Sequence, residues 1–151
     1  MSQPLWTYSF LDTQAAISGP GGAFSLGAGA GASDEGITIQ PNGEIDELTI
    51  GADGFAMHAL VADKSGKISV SLLKTSPTNL LLSTMVAFQR TSGANFGQNV
   101  ITIMNSASGD IISASQVAFA KIPEVKYGKQ AGTITWEFNA GVISIQLGNG
   151  F

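Results

Sequence analysis

The residues of this chain that could do chemistry are few and poorly grouped. His58 is the only histidine, and cysteine is absent. A Ser-His-Asp triad would therefore depend on His58 alone, and a cluster of histidine or thiolate metal ligands is excluded. His58 lies in the alternating stretch FAMHALVA, which favours a structural role. We therefore expect no enzyme activity, no metal site and no cofactor.

Three carboxylates, Glu44, Asp46 and Glu47, could be imagined as an acid/base pair or as calcium ligands. They lack the spacing of a calcium loop, so solvated charge on a strand is the better interpretation. The run GAGAG at 27–31 resembles a phosphate-binding loop, but no Lys-Ser/Thr pair and no helix start follow it. The pI is about 4.7 and no basic patch interleaves with aromatics, which disfavours nucleic-acid recognition.

The composition indicates a β-rich protein with an unusually uncharged surface. The 151 residues predict a single domain, 1–151, and only 12% of them are charged, about half of the usual ~25%. Such a surface favours burial against other copies, although a β-rich domain with many glycine turns is an open alternative. No apolar run approaches the ~20 residues of a membrane span, and the N-terminus lacks signal-peptide features. We expect a soluble protein that folds inside the cell.

Charge is distributed unevenly between the two parts of the chain. Residues 1–53 contain seven acidic residues and no Lys or Arg, whereas residues 54–151 contain four acidic residues and all seven basic ones. This asymmetry is compatible with one acidic and one basic face, which would suit head-to-tail contact between identical subunits.

Strand signals dominate the sequence. The first strand is predicted at 5–17, with Trp6, Tyr8 and Phe10 at every second position as a core-facing row. Further strands are predicted at 37–40, 45–50, 55–62, 68–72, 100–105, 111–121, 133–139 and 142–147. The turns PNGE (41–44), GADG (51–54), DKSGK (63–67) and NAG (139–141) separate neighbours that we expect to pair antiparallel.

One segment changes to a helical period. Ser76 suits an N-cap and Pro77 the first helical position, and Leu81, Met85 and Phe88 follow at i, i+4 and i+7. A helix is therefore predicted at about 77–90. The fold class is mainly β: an antiparallel β-sandwich or barrel with one flanking α-helix. The Gly/Ala-rich run 27–36 is predicted to be a flexible loop that orders on a partner.

Three stretches together resemble a family of phage tail tube proteins. They are GADGF (51–55), DKSGKISVSLLKTSPTN (63–79) followed by Leu82-Ser83, and AKIPEVKYGKQAGTITWEF (120–138). Their order along the chain also matches, and the resemblance covers roughly 37–136. The related tube of type VI secretion systems shares the same plan.

The resemblance implies a tail-tube-like β-sandwich that forms hexameric rings, stacked into a tube. It further implies that genomic DNA passes through the lumen from capsid to host without sequence-specific binding, inside a contractile sheath. The implied partners are other copies, the sheath, the baseplate initiator and the terminator. The implied location is the virion tail, after assembly in the host cytoplasm and without membrane insertion by this chain.

Two sets of residues are candidates for roles in such a tube. Glu44, Asp46 and Glu47 are candidates for the lumen lining, where negative charge would repel DNA phosphates. Because Asp46 and Glu47 are adjacent, they must point to opposite faces of a strand, and outer-surface charge is the alternative role. Contacts between stacked rings are predicted for the 27–36 loop, with Asp34 and Glu35 meeting Lys126 and Lys129 of the next ring.

Two other functions stay open at the level of sequence. The first is another virion component of related fold, such as a tube terminator, a baseplate tube initiator or a head decoration protein. The second is a β-sandwich carbohydrate-binding module, which would need exposed aromatic side chains in a cleft.

Overall fold

A computed structural model describes residues 8–27, 32–130 and 132–148. The described part is built almost entirely of antiparallel strands, with one α-helix between the sixth and seventh strands. The elements are β1 (Thr13–Gly19), β2 (Gly22–Ser25), β3 (Ala32–Pro41), β4 (Asp46–Ile50), β5 (Ala56–Leu60), β6 (Gly66–Leu73), α1 (Thr78–Gln89), β7 (Asn99–Asn105), β8 (Asp110–Lys121) and β9 (Thr133–Gln146). The predicted fold class, mainly β and antiparallel with one helix, is confirmed.

Seven strands form one sheet in the order β2-β1-β7-β8-β9-β6-β3, and β4 and β5 form a separate two-stranded hairpin. Every pairing is antiparallel. We call the seven-stranded sheet together with α1 the body, and residues 44–61 the hairpin. The hairpin leaves the body after β3 and returns to it at β6.

The body has one continuous hydrophobic core on one face of its sheet. Alternate residues of β6, namely Ile68, Val70 and Leu72, are fully buried in it. Phe138 of β9 is also fully buried, and its ring centroid lies 4.9 Å from that of Phe119. The period-two burial of β6 is what the sequence pattern predicted for that strand.

The helix covers this core and begins at Thr78, so Pro77 and not the predicted Ser76 occupies the N-cap position. The Ser76 hydroxyl accepts a hydrogen bond from the Thr78 backbone N–H at 3.2 Å, which satisfies a donor of the first turn. Met85 is buried as expected. The helix is rotated from the predicted orientation, because Leu82 and Val86 are buried while Leu81 and Phe88 are about half exposed.

A buried pair of amides fixes the end of α1 to the sheet. Asn99 donates to Gln89 Oε1 at 2.9 Å, and Gln89 donates to Asn99 Oδ1 at 2.7 Å and to the Pro20 carbonyl oxygen at 2.9 Å. Each amide thus finds partners inside the core, as a buried polar group must.

The start of the chain differs from the prediction. β1 begins at Thr13, after a short 3₁₀ turn at Phe10–Asp12, and not at residue 5. Tyr8 is 77% exposed, so the predicted core-facing row is wrong at that position. Trp6 lies outside the described residues. Strand β3 begins at Ala32, so the second half of the predicted 27–36 loop is strand, and 28–31 lie outside the described residues.

Three predicted turns are wrong for topological reasons. PNGE does not close a hairpin, because β3 pairs with β6 whereas β4 pairs with β5. NAG does not reverse the chain, since β9 continues through it to Gln146. Gly141 instead accommodates the side chain of Gln116, whose φ is +55°, and a Cβ at Gly141 would lie 2.8 Å from Gln116 Oε1. DKSGK does not close a hairpin either, because β5 pairs with β4 whereas β6 pairs with β3 and β9.

Candidate assembly surface

The hairpin has apolar side chains on both of its faces. Its turn is the predicted GADG, in which the Gly51 N–H donates to the Phe55 carbonyl oxygen at 2.8 Å and Gly54 adopts a φ of +89°. The register pairs Asp46 with Leu60 and Glu47 with Ala59. Face A therefore comprises Asp46, Leu48, Ile50, Ala56, His58 and Leu60, and face B comprises Glu47, Thr49, Met57 and Ala59.

Every residue of β4 and β5 is exposed in the isolated chain. Leu60 is 86% exposed, and Leu48 and Ile50 on the same face are more than half exposed. On face B Met57 is also more than half exposed. A strand pair that exposes large apolar side chains in a contiguous patch marks an interaction surface.

The only histidine pairs with one of the predicted carboxylates on face A. His58 Nδ1 lies 2.7 Å from Asp46 Oδ2, and both side chains are largely accessible to solvent. The other side chains of face A carry no hydroxyl, and Thr49 lies on face B. The pair therefore has no hydroxyl beside it on face A, and it links the two strands of the hairpin.

The predicted lumen acids all lie on or beside the hairpin. Asp46 and Glu47 point to opposite faces, as their adjacency requires, and Glu44 precedes β4. All three residues are exposed. The sequence did not single out the exposed apolar residues around them. The sequence did contain a signal for this surface. The stretch ELTIGADGFAMHAL carries apolar residues at both odd and even positions, which is typical of a hairpin whose two faces are both covered.

A second exposed surface is the connection between β8 and β9. We call residues 121–130 the lysine segment; it has no regular secondary structure beyond Lys121. Tyr127 is 85% exposed, and the Lys74 ammonium lies 3.4 Å from its ring centroid while donating to the Lys126 carbonyl oxygen at 2.9 Å. The cation–π contact and this hydrogen bond hold the segment against the end of β6.

The predicted basic partners lie in this segment. Lys126 and Lys129 are exposed, and neither has an ion-pair partner among the described residues. Their predicted acidic partners, Asp34 and Glu35, fall within the backbone of β3. Contacts between these two pairs of residues in neighbouring rings stay a prediction.

The face of the sheet opposite the core is polar where β3, β6 and β9 are adjacent. Lys67 and Ser69 of β6 lie beside Asn139 and Glu137 of β9, respectively. Glu137 also lies 3.5 Å from the Lys121 ammonium. On this face the charged groups of Lys67 and Glu137 lie among hydroxyl and amide groups.

Within the ranges that the structure describes, no three potential metal-ligating side chains come together. Nor is any helix of that part of the chain long and apolar enough for a membrane span.

The fold is shared with chains of contractile injection systems. In the structure of the anti-feeding prophage cap (AFP tube terminating cap), the similar chain has a TM-score of 0.56 at 10% identity, covering 97% of this chain and 95% of that one. A chain of the six-fold symmetrised AFP baseplate has a TM-score of 0.55 at 13% identity, and the match covers 100% of both chains. A chain of the extended PVC sheath–tube complex has a TM-score of 0.52 at 12% identity, and the match covers 89% of this chain and 88% of that one.

Sequence comparison identifies the family directly. No curated protein sequence matches the chain. The family of the bacteriophage PhiTE tail tube protein, however, matches residues 5–148, which is nearly the whole chain. With its mainly β fold, the chain therefore belongs to this phage tail tube family and is a structural protein of the virion tail.

Proposed function

We propose that this protein is the repeating subunit of a phage tail tube. Copies assemble in the host cytoplasm into hexameric rings, and the rings stack into a tube inside a contractile sheath. The channel conducts DNA from the capsid to the host without sequence-specific binding. The role is structural, with no reaction catalysed by the chain.

The observation that carries this proposal is the unpartnered apolar hairpin. Full burial of a large aliphatic side chain is worth roughly 1.5–3 kcal/mol, and face A alone offers Leu48, Ile50 and Leu60. A protein that keeps such residues exposed on a separate hairpin buries them on assembly. The low charge content, 12%, is expected for a subunit with much of its surface between copies.

The sheath, the ring and the other tail partners are supported by the structural neighbours. One neighbour belongs to a sheath–tube complex and another to a baseplate assembly described as six-fold symmetrised. A six-membered ring would also provide hydrogen-bond partners for the backbone groups of the edge strands β2 and β3, because ring closure can pair sheet edges that are open in the single chain.

For the channel lining we propose two surfaces. The polar face around Ser69, Glu137 and Asn139 presents groups that hydrate well and grip phosphates weakly. Glu47, on face B, is the second, because its charge would repel the DNA backbone. Asp46 lies on the opposite face of the hairpin, so the two acids cannot both line one channel wall.

Negative-stain electron microscopy of the purified protein tests the proposal. Rings about 80–100 Å across are expected from six subunits around a pore wide enough for a duplex, together with long tubes of constant diameter. A protein that stays monomeric at every concentration would contradict the tube function.

A tube terminator is the second candidate, because one structural neighbour belongs to a tube terminating cap. A terminator would form single rings that bind tube ends and never stack on themselves. Microscopy of the protein alone separates the two, since only a tube subunit elongates.

A further inference from the structure

Two exposed surfaces of the chain have opposite charge and similar apolar content. The hairpin carries four acidic residues, Glu44, Asp46, Glu47 and Asp53, and no Lys or Arg. The lysine segment carries three lysines and one glutamate, and Lys74 lies against it. Ile122, Val125 and Tyr127 of this segment are all more than half exposed. Each surface thus consists of large apolar side chains bordered by charge of one sign.

We infer that face A of the hairpin in one copy docks on the lysine segment of a second copy. Leu48, Ile50 and Leu60 pack on Ile122, Val125 and Tyr127. The acids of the hairpin lie against Lys126 and Lys129, in place of Asp34 and Glu35, the partners predicted from the sequence. This inference rests on the proposed tube function and names the contact through which copies of the chain join.

The choice of a second copy, and not an unrelated protein, follows from charge complementarity within one sequence. Both surfaces are exposed in the same molecule, so neither covers the other. A contact between two different patches of identical chains is heterologous: it closes a ring where the rotation between copies closes, and otherwise it adds copies along an open stack. Both arrangements join copies head to tail, as rings and a tube built from them require.

The lysine segment is also ordered enough to act as a docking site. Lys74 holds Tyr127 by the cation–π contact and holds the Lys126 backbone by a hydrogen bond. The ammonium groups of Lys126 and Lys129 have no ion-pair partner in the described chain. Opposite charges across the contact then fix which surface meets which.

Cross-linking between single-cysteine variants tests the contact directly, because the native chain has no cysteine. Leu60→Cys and Val125→Cys proteins, made with tags of different size, are mixed and treated with a short bis-maleimide. We expect a mixed dimer to form. Replacing either partner with a control, Thr49→Cys on face B or Val100→Cys on the outer side of β7, should reduce its yield about tenfold or more. Equal yields from the control pairs, or no mixed dimer at any concentration, would overturn the inference.

Charge reversal tests the same contact in assembly. Lys126→Glu/Lys129→Glu should reduce tube formation about tenfold or more, measured by sedimentation and microscopy. Adding Glu44→Lys/Asp46→Lys in the same chain should restore it. Lys64→Glu reverses one exposed lysine outside the segment and, compared with Lys126→Glu alone, should leave assembly intact. Circular dichroism spectra that match the unmodified protein confirm that each variant is folded.

The outcomes separate this inference from the proposed function. Tubes that form equally well with and without the lysine reversal would contradict the contact but leave the tube function standing. A mixed cross-linked dimer in a protein that never forms rings would support the contact and contradict the tube function. Tubes that form normally while sheath binding alone is lost would assign the lysine segment to the sheath and overturn the inference.

Discussion

The body and the hairpin of this protein place the same kinds of residue in opposite environments. In the body, Ile68, Val70 and Leu72 lie at every second position of β6 and are fully buried in the core. In the hairpin, Leu48 and Ile50 occupy the same period-two positions and are more than half exposed. Alternation alone therefore does not tell whether a strand is buried by its own chain or by another.

This difference indicates that the body and the hairpin have different roles, one in folding and the other in assembly. The body buries a continuous apolar core and pairs the buried amides of Gln89 and Asn99 with each other. The described contacts of the hairpin are its own backbone pairing, the contact between His58 and Asp46, and the hydrogen bond from the Phe55 N–H to Asp53 Oδ1. Fold stability should depend on the body, and assembly should depend on the hairpin.

The largest expected effect comes from removing a core side chain of the body. Phe138→Ala should lower the free energy of unfolding by about 3–5 kcal/mol, because it leaves a cavity beside the Phe119 ring. Leu60→Ala in the hairpin should change it by no more than about 0.5 kcal/mol. Urea unfolding of dilute, unassembled protein measures both. A large decrease in the free energy of unfolding for Leu60→Ala would show that the hairpin packs on the body, and it would contradict the separation of body and hairpin.

The next effect concerns the buried amides. Asn99→Leu removes both hydrogen bonds between the two amides and leaves Gln89 Oε1 without its donor. The unsatisfied group should cost about 1–3 kcal/mol. Gln98→Leu, at the exposed neighbouring position, is the control and should cost little. Converting Gln89 and Asn99 together to leucine should cost less than the two single changes summed; a double-mutant cycle by chemical denaturation that showed additivity would contradict this coupling.

The third effect distinguishes a glycine of the body from a glycine of the hairpin. At Gly66 a Cβ would lie 2.8 Å from the Gln40 carbonyl oxygen and against the Ile143 side chain, so Gly66→Ala should cost about 1–3 kcal/mol of global stability. At Gly54 nothing lies within 4 Å, but φ is +89°. Gly54→Ala should therefore strain the turn alone, by about 1 kcal/mol.

Hydrogen exchange checks this pair of variants. Gly54→Ala should accelerate exchange of the β4 and β5 amides while the body amides keep their protection, because the hairpin opens on its own. Gly66→Ala should accelerate exchange throughout the body. Uniform acceleration in both variants would mean that hairpin and body unfold as one unit.

Sequence patterns predicted the elements whose signals are local. Ser76 and Pro77 mark the start of α1, and GADG marks the hairpin turn, because caps and tight turns depend on adjacent residues. The family resemblance, carried by the turns and caps at 51–55, 63–79 and 120–138, is confirmed by the match over 5–148. These signals do not depend on which strands pair.

Strand pairing and site placement could not be predicted in the same way. DKSGK has the composition of a hairpin turn, yet β6 pairs with strands that are distant in sequence, which no local signal encodes. NAG has the composition of a turn, yet Gly141 lies within β9 and leaves room for the side chain of Gln116. The lysine segment becomes a surface only because Lys74, far away in sequence, holds Tyr127.

The smallest expected effect lies at the junction between the two regions, where Asp63 follows the hairpin. The Ser65 hydroxyl donates to Asp63 Oδ1 at 2.6 Å and the Ser65 backbone N–H donates to the same oxygen at 2.9 Å. These two hydrogen bonds, the hydroxyl contributing most, lower the pKa of Asp63 below its ordinary value, against a small opposing effect of desolvation. A lowered pKa means that folding favours the ionised carboxylate.

The stabilising contribution of Asp63 should therefore be complete above its ordinary pKa, and it should be lost as the pH falls through the lowered, folded-state value. The contribution should be small because the group is exposed. Ser65→Ala removes the hydroxyl donor and should raise the pKa of Asp63 towards the ordinary value, measured by carboxyl-carbon NMR titration. Ser92→Ala, which removes the hydroxyl of a distant turn, should leave the pKa of Asp63 unchanged. An identical pKa in Ser65→Ala would show that the backbone N–H alone orders this junction.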